Sequence, residues 1–207
     1  MRTTDAYGEL LQIGRPVVET REAAARLRAS TSNTSHLLRS VERAGLVRRL
    51  RHGLWALDPD VDASVIAPYL TAPFPAYVSL WSALARHDMI EQIPRQIFVA
   101  SLARTRSITT TIGTYSIHHL APELFTGFDG SPERGYLATP EKALFDSVYV
   151  RAPRGARMFF PELSLPEGFD DRRFEQWISE IKSPRLRTLV SRGLETALAQ
   201  ATRGSAG

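Results

Sequence analysis

Lys142 and Asp146 stand four residues apart in Thr139-Pro140-Glu141-Lys142-Ala143-Leu144-Phe145-Asp146, a spacing that brings both side chains onto one face of a helix. Thr139 is placed to cap that helix, Pro140 fits its first turn and Glu141 complements its dipole, so a surface ion pair accounts for these residue types by itself. A second chemistry is open to the same residues. Lys142 is one of only two lysines in an arginine-dominated chain, and a lysine holds phosphate as a mobile point charge or titrates when buried. With Asp146 to position a hydroxyl or a metal, the pair has the parts for phosphoryl transfer to a partner, which would require ATP and Mg2+.

Other catalytic patterns are lacking in the sequence. There is no Walker A loop, no kinase glycine-rich or catalytic loop, no G-x-S-x-G elbow, no H-E-x-x-H and no Gly-Ser with paired Asp of a nucleotidyltransferase. The absence of cysteine excludes a disulfide framework, a thiolate zinc site and cysteine nucleophiles. His118 and His119 are adjacent, and a strand would send them to opposite faces, away from a shared metal. No metal and no cofactor is expected outside the phosphoryl-transfer alternative, and whether the chain is an enzyme stays open.

The other chemistry is charge. The net +4 of the 207 residues arises wholly before residue 59, where ten Arg face six acids; residues 59–207 balance. Residues 21–57 hold eight Arg against two Glu, a local excess suited to a phosphate backbone. An Arg-rich coding bias explains the choice of Arg over Lys but not this clustering.

The elements around these charges read as follows. Asp5–Ile13 forms a short amphipathic helix ended by Gly14 and Pro16. Thr20 caps a second helix, and Ser30, Thr31 and Ser32 cap a third that runs to Ala44 and stops at Gly45. The third helix buries Thr34, Leu37, Leu38, Val41 and Ala44, and presents Ser32, Ser35, His36, Arg39 and Arg43 on its other side, as a helix in a major groove requires. Leu46–Leu50 and Leu54–Leu57 then flank Arg51-His52-Gly53 as a hairpin, with Arg48, Arg49, Arg51 and His52 on or beside its tip. Helix, turn, helix and basic hairpin in that order spell a winged helix-turn-helix that binds double-stranded DNA; a winged helix used for protein contact is the competing reading.

Asp58-Pro59-Asp60-Val61-Asp62 reads as a linker. The expected organisation is α+β, with a winged helix-turn-helix at residues 1–58 and a mixed α/β domain at residues 63–207, each closing its own core. In the second domain, helices are expected at 63–70, 77–87 (built on Leu80, Trp81 and Leu84), 140–149, 172–182 and 184–201. Strands are expected at 96–100, 108–112, 115–120 and 136–138, with Gly113-Thr114 as a turn and 202–207 as a frayed tail. No apolar run approaches a membrane span and Met1–Asp5 is too polar for a signal peptide, so the expected location is the cytoplasm.

Three segments also resemble the AbiEi-type antitoxins, the antitoxin half of type IV toxin-antitoxin pairs. They are Gly45–Leu57; Tyr77-Val78-Ser79-Leu80-Trp81-Ser82-Ala83-Leu84 with His87; and Ala138–Asp146. The resemblance covers most of residues 5–150. Family members often have glycine after the histidine, where this chain has Asp88, and nothing beyond about residue 155 finds a counterpart. The resemblance implies an antitoxin that represses its own operon through the winged helix and counteracts a nucleotidyltransferase toxin, with the second domain carrying antitoxicity. Its partners would be operator DNA and the toxin, with no stable toxin complex required and no membrane. The residues implied in antitoxicity are Tyr77, Ser79, His87, Glu141, Lys142 and Asp146. Two alternatives remain: a toxin-modifying enzyme that phosphorylates its target, with Lys142 and Asp146 as catalytic groups, and a transcription factor whose second domain senses a small molecule.

Overall fold

The computed structural model describes residues 2–154, 160 and 162–203. The chain is a mixed α/β protein. It opens with helix α1 (Thr3–Leu11), strand β1 (Val17–Glu19), helices α2 (Thr20–Leu27) and α3 (Thr31–Arg43), and the hairpin of β2 (Arg48–Arg51) and β3 (Leu54–Ala56). The three strands form one antiparallel sheet in the order β1-β3-β2.

Local chemistry sets these boundaries. Ser30 caps α3 by accepting the Asn33 N–H at 3.2 Å, and Gly45 stops it at φ 75, a left-handed backbone that glycine takes without steric cost. Thr20 is not the cap of α2. The cap is Glu19, whose N–H donates to Glu22 Oε2 at 2.9 Å, which frees the Thr20 hydroxyl to accept Trp55 Nε1–H at 2.9 Å. Of the stripe expected on α3, Thr34, Leu38 and Val41 are buried, while Leu37 is half-buried and Ala44, at the helix end, is exposed.

The second part contains α4 (Ala63–Thr71), β4 (Ala76–Val78), α5 (Leu80–Arg86), β5 (Ile97–Ser101), β6 (Arg106–Thr110), β7 (Gly113–His119), β8 (Phe128–Ser131), β9 (Gly135–Ala138) and α6 (Pro140–Arg151). After β10 (Ser164–Leu165), α7 (Arg173–Glu180) and α8 (Pro184–Gln200) follow, and β11 (Thr202–Arg203) pairs parallel with β10. The first two residues of the expected tail are therefore paired, and 204–207 lie outside the described residues. Six strands make one mixed sheet in the order β6-β7-β5-β4-β9-β8. The helix expected over 77–87 is split: Ala76-Tyr77-Val78 is extended between β5 and β9, Ser79 N–H donates to the Phe98 carbonyl at 3.0 Å, and helix begins only at Leu80. Filling a central slot in the sheet outweighs the amphipathic pattern there. The tight turn falls at Thr111-Ile112, so Gly113 pairs with Thr110 as the first residue of β7.

The six-stranded sheet is covered on both faces. Tyr77 and Ala100 join the cluster of Leu84, Leu144, Phe145, Val148, Trp177, Val190 and Leu194 from α5, α6, α7 and α8. Val78, Val99, Tyr115 and Ile117 face the other way. There they join Ile66, Ala67 and Leu70 of α4 in one cluster with Val17, Leu50, Leu54 and Ala56 of the N-terminal sheet. The expectation that each half closes its own core is thereby corrected. Alternation along β3 explains it: Trp55 packs on Val18, Leu38 and Val41 among the first three helices, while Leu54 and Ala56 point to the opposite face and need a second cover.

The segment 58–62 is correspondingly held in place. Asp62 caps α4 through the Ser64 N–H at 2.8 Å and accepts Arg86 Nη2 at 2.8–2.9 Å; Arg48 Nη1 donates to the Pro59 carbonyl at 3.1 Å. The β6–β7 turn also bonds to the outer edge of β2, with Thr111 N–H on the Leu50 carbonyl at 3.0 Å and Thr111 Oγ1–H on the Arg49 carbonyl at 2.6 Å. Among the described residues, no helix is long and apolar enough to cross a membrane.

Candidate nucleic-acid interface and a buried polar centre

The first candidate site is the surface between the start of α3 and the tip of the β2–β3 hairpin. Thr31, Ser32 and Asn33 in the first turn of α3 are exposed, and Gly53 at φ 76 turns the hairpin so that His52 lines the same space as that turn. Between them lies a groove of about 540 Å3 lined by Thr31, Ser32, Ser35, His52, Gly53, Trp55, Thr20, Arg21 and Glu19. Ser32 and His52 are exposed; Ser35 is half-buried, its hydroxyl donating to the Thr31 carbonyl at 2.8 Å. His36 and Arg39 are exposed further along α3, and Arg43 folds back onto the Arg39 carbonyl at 3.3 Å and Ser40 Oγ at 3.0 Å.

The four hairpin residues divide. Arg51 and His52 are exposed at the tip. Arg49 is half-buried, with its guanidinium 5.8 Å from the Trp55 ring centroid and 3.4 Å from His52 Nδ1. Arg48 is exposed but turned to the Pro59 carbonyl. Glu42, on the helix face beside these arginines, accepts the Arg49 N–H at 2.9 Å and so fixes the hairpin against α3. Sequence reasoning missed Arg21, which lines the groove from the first turn of α2 and pairs with Glu19. Its signal was its place next to a helix start.

The second candidate site is interior. Lys142 and Asp146 are 0% exposed, so the surface ion pair expected from their spacing is instead a buried one. Asp146 Oδ1 takes the Lys142 ammonium, and Oδ2 accepts Tyr77 Oη–H at 2.9 Å and Ser79 Oγ–H at 2.7 Å. The ammonium also lies 4.9 Å from the Phe145 ring and 5.2 Å from the Trp177 ring, a cation–π arrangement that partly replaces water. Gly127, at φ 76, lets Trp177 close on the lysine stem; a Cβ there would sit 2.5 Å from the indole. Burial pushes the Lys142 pKa down, against the opposing pull of Asp146. Burial and the Asp146 charge push the Tyr77 phenol well up, keeping it a hydrogen-bond donor.

The remaining two residues brace the same junction. His87 Nε2 lies 2.7 Å from the Ala138 carbonyl, just ahead of α6. Glu141 is 5% exposed, accepts the Asp170 N–H at 3.1 Å and pairs with Arg173 at 3.1 Å, tying α6 to the start of α7. Burial raises the Glu141 carboxyl, but backbone N–H donors, Thr139 and Arg173 outweigh it and leave the pKa below its ordinary value of 4.5. A depressed folded-state pKa contributes stability above the ordinary value that is lost as pH falls through the depressed one. Thermal melts should therefore show the midpoint falling below about pH 4.5, and Glu141→Gln should reduce that fall; an unchanged pH profile in the variant would remove Glu141 as a contributor.

His118 and His119 do face apart. His118 is half-buried, with Nε2 3.0 Å from Ser116 Oγ, and His119 is exposed, with Nδ1 3.2 Å from the Leu102 carbonyl. Comparison with models of protein families and with curated proteins gives no match.

Proposed function

We propose that the chain is a DNA-binding antitoxin whose N-terminal part is a winged helix-turn-helix, repressing its own operon and counteracting a nucleotidyltransferase toxin. The observation that carries the DNA reading is the juxtaposition of the exposed polar face of α3 with the basic β2–β3 hairpin across one open groove. In this reading α3 enters the major groove, where Ser32, His36 and Arg39 reach base edges, and Arg51 and His52 meet phosphates beside it. The antitoxin reading rests on the resemblance. It is supported by the convergence of two separate resembling segments, since Tyr77 and Ser79 of one bond Asp146 of the other. Asp88 supports it too, because at φ 54 it occupies a left-handed position that suits the glycine the family has there.

The burial of Lys142 and Asp146 favours a structural role for them over the phosphoryl-transfer alternative, since a nucleotide has no access to a fully covered pair.

Binding to an inverted repeat upstream of the gene, followed by fluorescence anisotropy, tests the proposal. Affinity is expected to fall steeply with salt through counterion release, and Arg51→Ala to flatten the log–log slope by about 0.9. Arg39→Ala or His36→Ala is expected to cost roughly 1–3 kcal/mol at one base position while sparing nonspecific sequence. No binding at low salt would end the DNA reading, and equal losses on every sequence would reassign those two residues to phosphates. Co-expression with the toxin, scored by growth, tests the other half.

A further inference from the structure

At the end of β6 remote from the hairpin, the loop Thr71–Phe74 and the segment 102–106 enclose a cleft of about 630 Å3, with His119 on its wall. That volume falls inside the range of roughly 300–1,000 Å3 typical of small-molecule pockets. None of the residues lining it is acidic. Residues 92–122, which supply one wall, contain no Asp or Glu, and neither does the opposing loop 71–75.

Two arginine donors and a histidine converge on this acid-free space. Arg104 is exposed and makes no hydrogen bond or ion pair among the described residues. Arg106 donates Nη2 to the Leu70 carbonyl at 3.1 Å, which holds its guanidinium at the wall with further N–H groups of the fork to offer. His119 Nδ1 faces the Leu102 carbonyl, which can only accept, so Nδ1 carries the ring N–H and Nε2 is left as an acceptor for the hydroxyl of a phosphate monoanion. Beside them Phe74 is 48% exposed, a flat apolar face at the mouth of a charged cleft. Two arginine forks suit the several oxygens of a phosphate better than the two of a carboxylate, and an exposed ring suits a second ring.

We propose that this cleft binds a phosphate monoester carrying a flat ring, the chemistry shared by nucleoside monophosphates and aryl phosphates. The phosphate sits between Arg104, Arg106 and His119, and the ring lies on Phe74. Binding there is independent of whether the N-terminal face meets DNA.

Titrations of the 15N-labelled full chain followed by NMR test it, using AMP, phenyl phosphate, inorganic phosphate, adenosine and a six-base oligothymidylate as probes. AMP and phenyl phosphate are expected to saturate, with shifts centred on residues 71–74, 102–106 and 119, and inorganic phosphate and adenosine to bind at least about tenfold more weakly. A tighter AMP complex identifies the nucleotide as the source; equal affinities identify the ring phosphate alone. Arg104→Glu should weaken both by about tenfold or more, and Phe74→Ala by about 2- to 12-fold without affecting inorganic phosphate. Both side chains are exposed, so the variants retain the fold, which the same spectra verify. Absence of saturation, shifts centred elsewhere, unchanged affinity in Arg104→Glu, or inorganic phosphate binding as tightly as phenyl phosphate would each overturn the proposal. Oligothymidylate that displaces AMP and binds more than about tenfold tighter would overturn it as well, giving the cleft to a nucleic-acid strand.

Discussion

Lys142→Ala is expected to lower the unfolding free energy by about 3–5 kcal/mol, read from urea denaturation, because it strands the Asp146 carboxylate in a dry interior without its counter-charge. An exposed i, i+4 pair would cost only about 0.5 kcal/mol, so the two accounts differ by several-fold in the measured quantity. The double variant Lys142→Met with Asp146→Asn removes both charges yet keeps an oxygen to accept Tyr77 and Ser79. It should recover most of the loss, since a buried pair replaced as a unit is often close to neutral. A loss below about 1 kcal/mol in Lys142→Ala would mean that water reaches the pair. The double variant also bears on mechanism: if it folds and still protects cells from the toxin, phosphoryl transfer by these two residues is ended.

Deletion of residues 1–58 is expected to leave residues 59–207 unable to fold on their own, rather than yielding an independent C-terminal fragment. Val17, Leu50 and Leu54, all buried, cover Ile66, Leu70, Tyr115 and Ile117. Burying each such side chain is worth roughly 1.5–3 kcal/mol, so their loss together approaches the net stability of about 5–15 kcal/mol that a whole domain has. The fragment should bind a hydrophobic dye and lack near-ultraviolet dichroism, and the reciprocal fragment 1–58 should fare no better with Leu50 and Leu54 uncovered. Cooperative unfolding of either fragment, with a sharp midpoint, would restore the two-module description. If the fragment does not fold, loss of protection by the shorter chain reports instability and not a function of the hairpin.

The sequence was most informative where local chemistry decides structure. The Ser30 cap, the Gly45 stop, the Gly53 turn and the Thr139-Pro140 start of α6 rest on backbone preferences of single residues. The strands expected at 96–100, 108–112 and 115–120 from β-branched runs overlap the observed 97–101, 106–110 and 113–119, with ends displaced because the turn falls at Thr111-Ile112 and not at Gly113-Thr114. It was least informative where the partner surface decides. Ala76-Tyr77-Val78 continues into a helical pattern, and only its neighbours β5 and β9 make it a strand; β1 and β8 are too short to stand out alone. The shared core had one visible trace: Leu54-Trp55-Ala56-Leu57 is apolar without interruption, the mark of a strand covered on both faces, whereas a wing open to solvent would alternate. In the interior site, spacing paired Lys142 with Asp146 correctly, but a helix wheel says nothing of depth, and Tyr77 and Ser79 reach them from 69 and 67 residues away.

The depth of Lys142 has a practical side. Amine-directed reagents distinguish lysines by exposure, and the two in this chain lie at opposite extremes, with the Lys182 side chain 86% exposed and that of Lys142 0%. Under native conditions a succinimidyl dye therefore modifies Lys182 and spares Lys142, giving one lysine attachment point without mutagenesis. Label acquired at Lys142 marks molecules whose α6 has come away from the sheet, so its time course, read by peptide mass, reports the opening of the core.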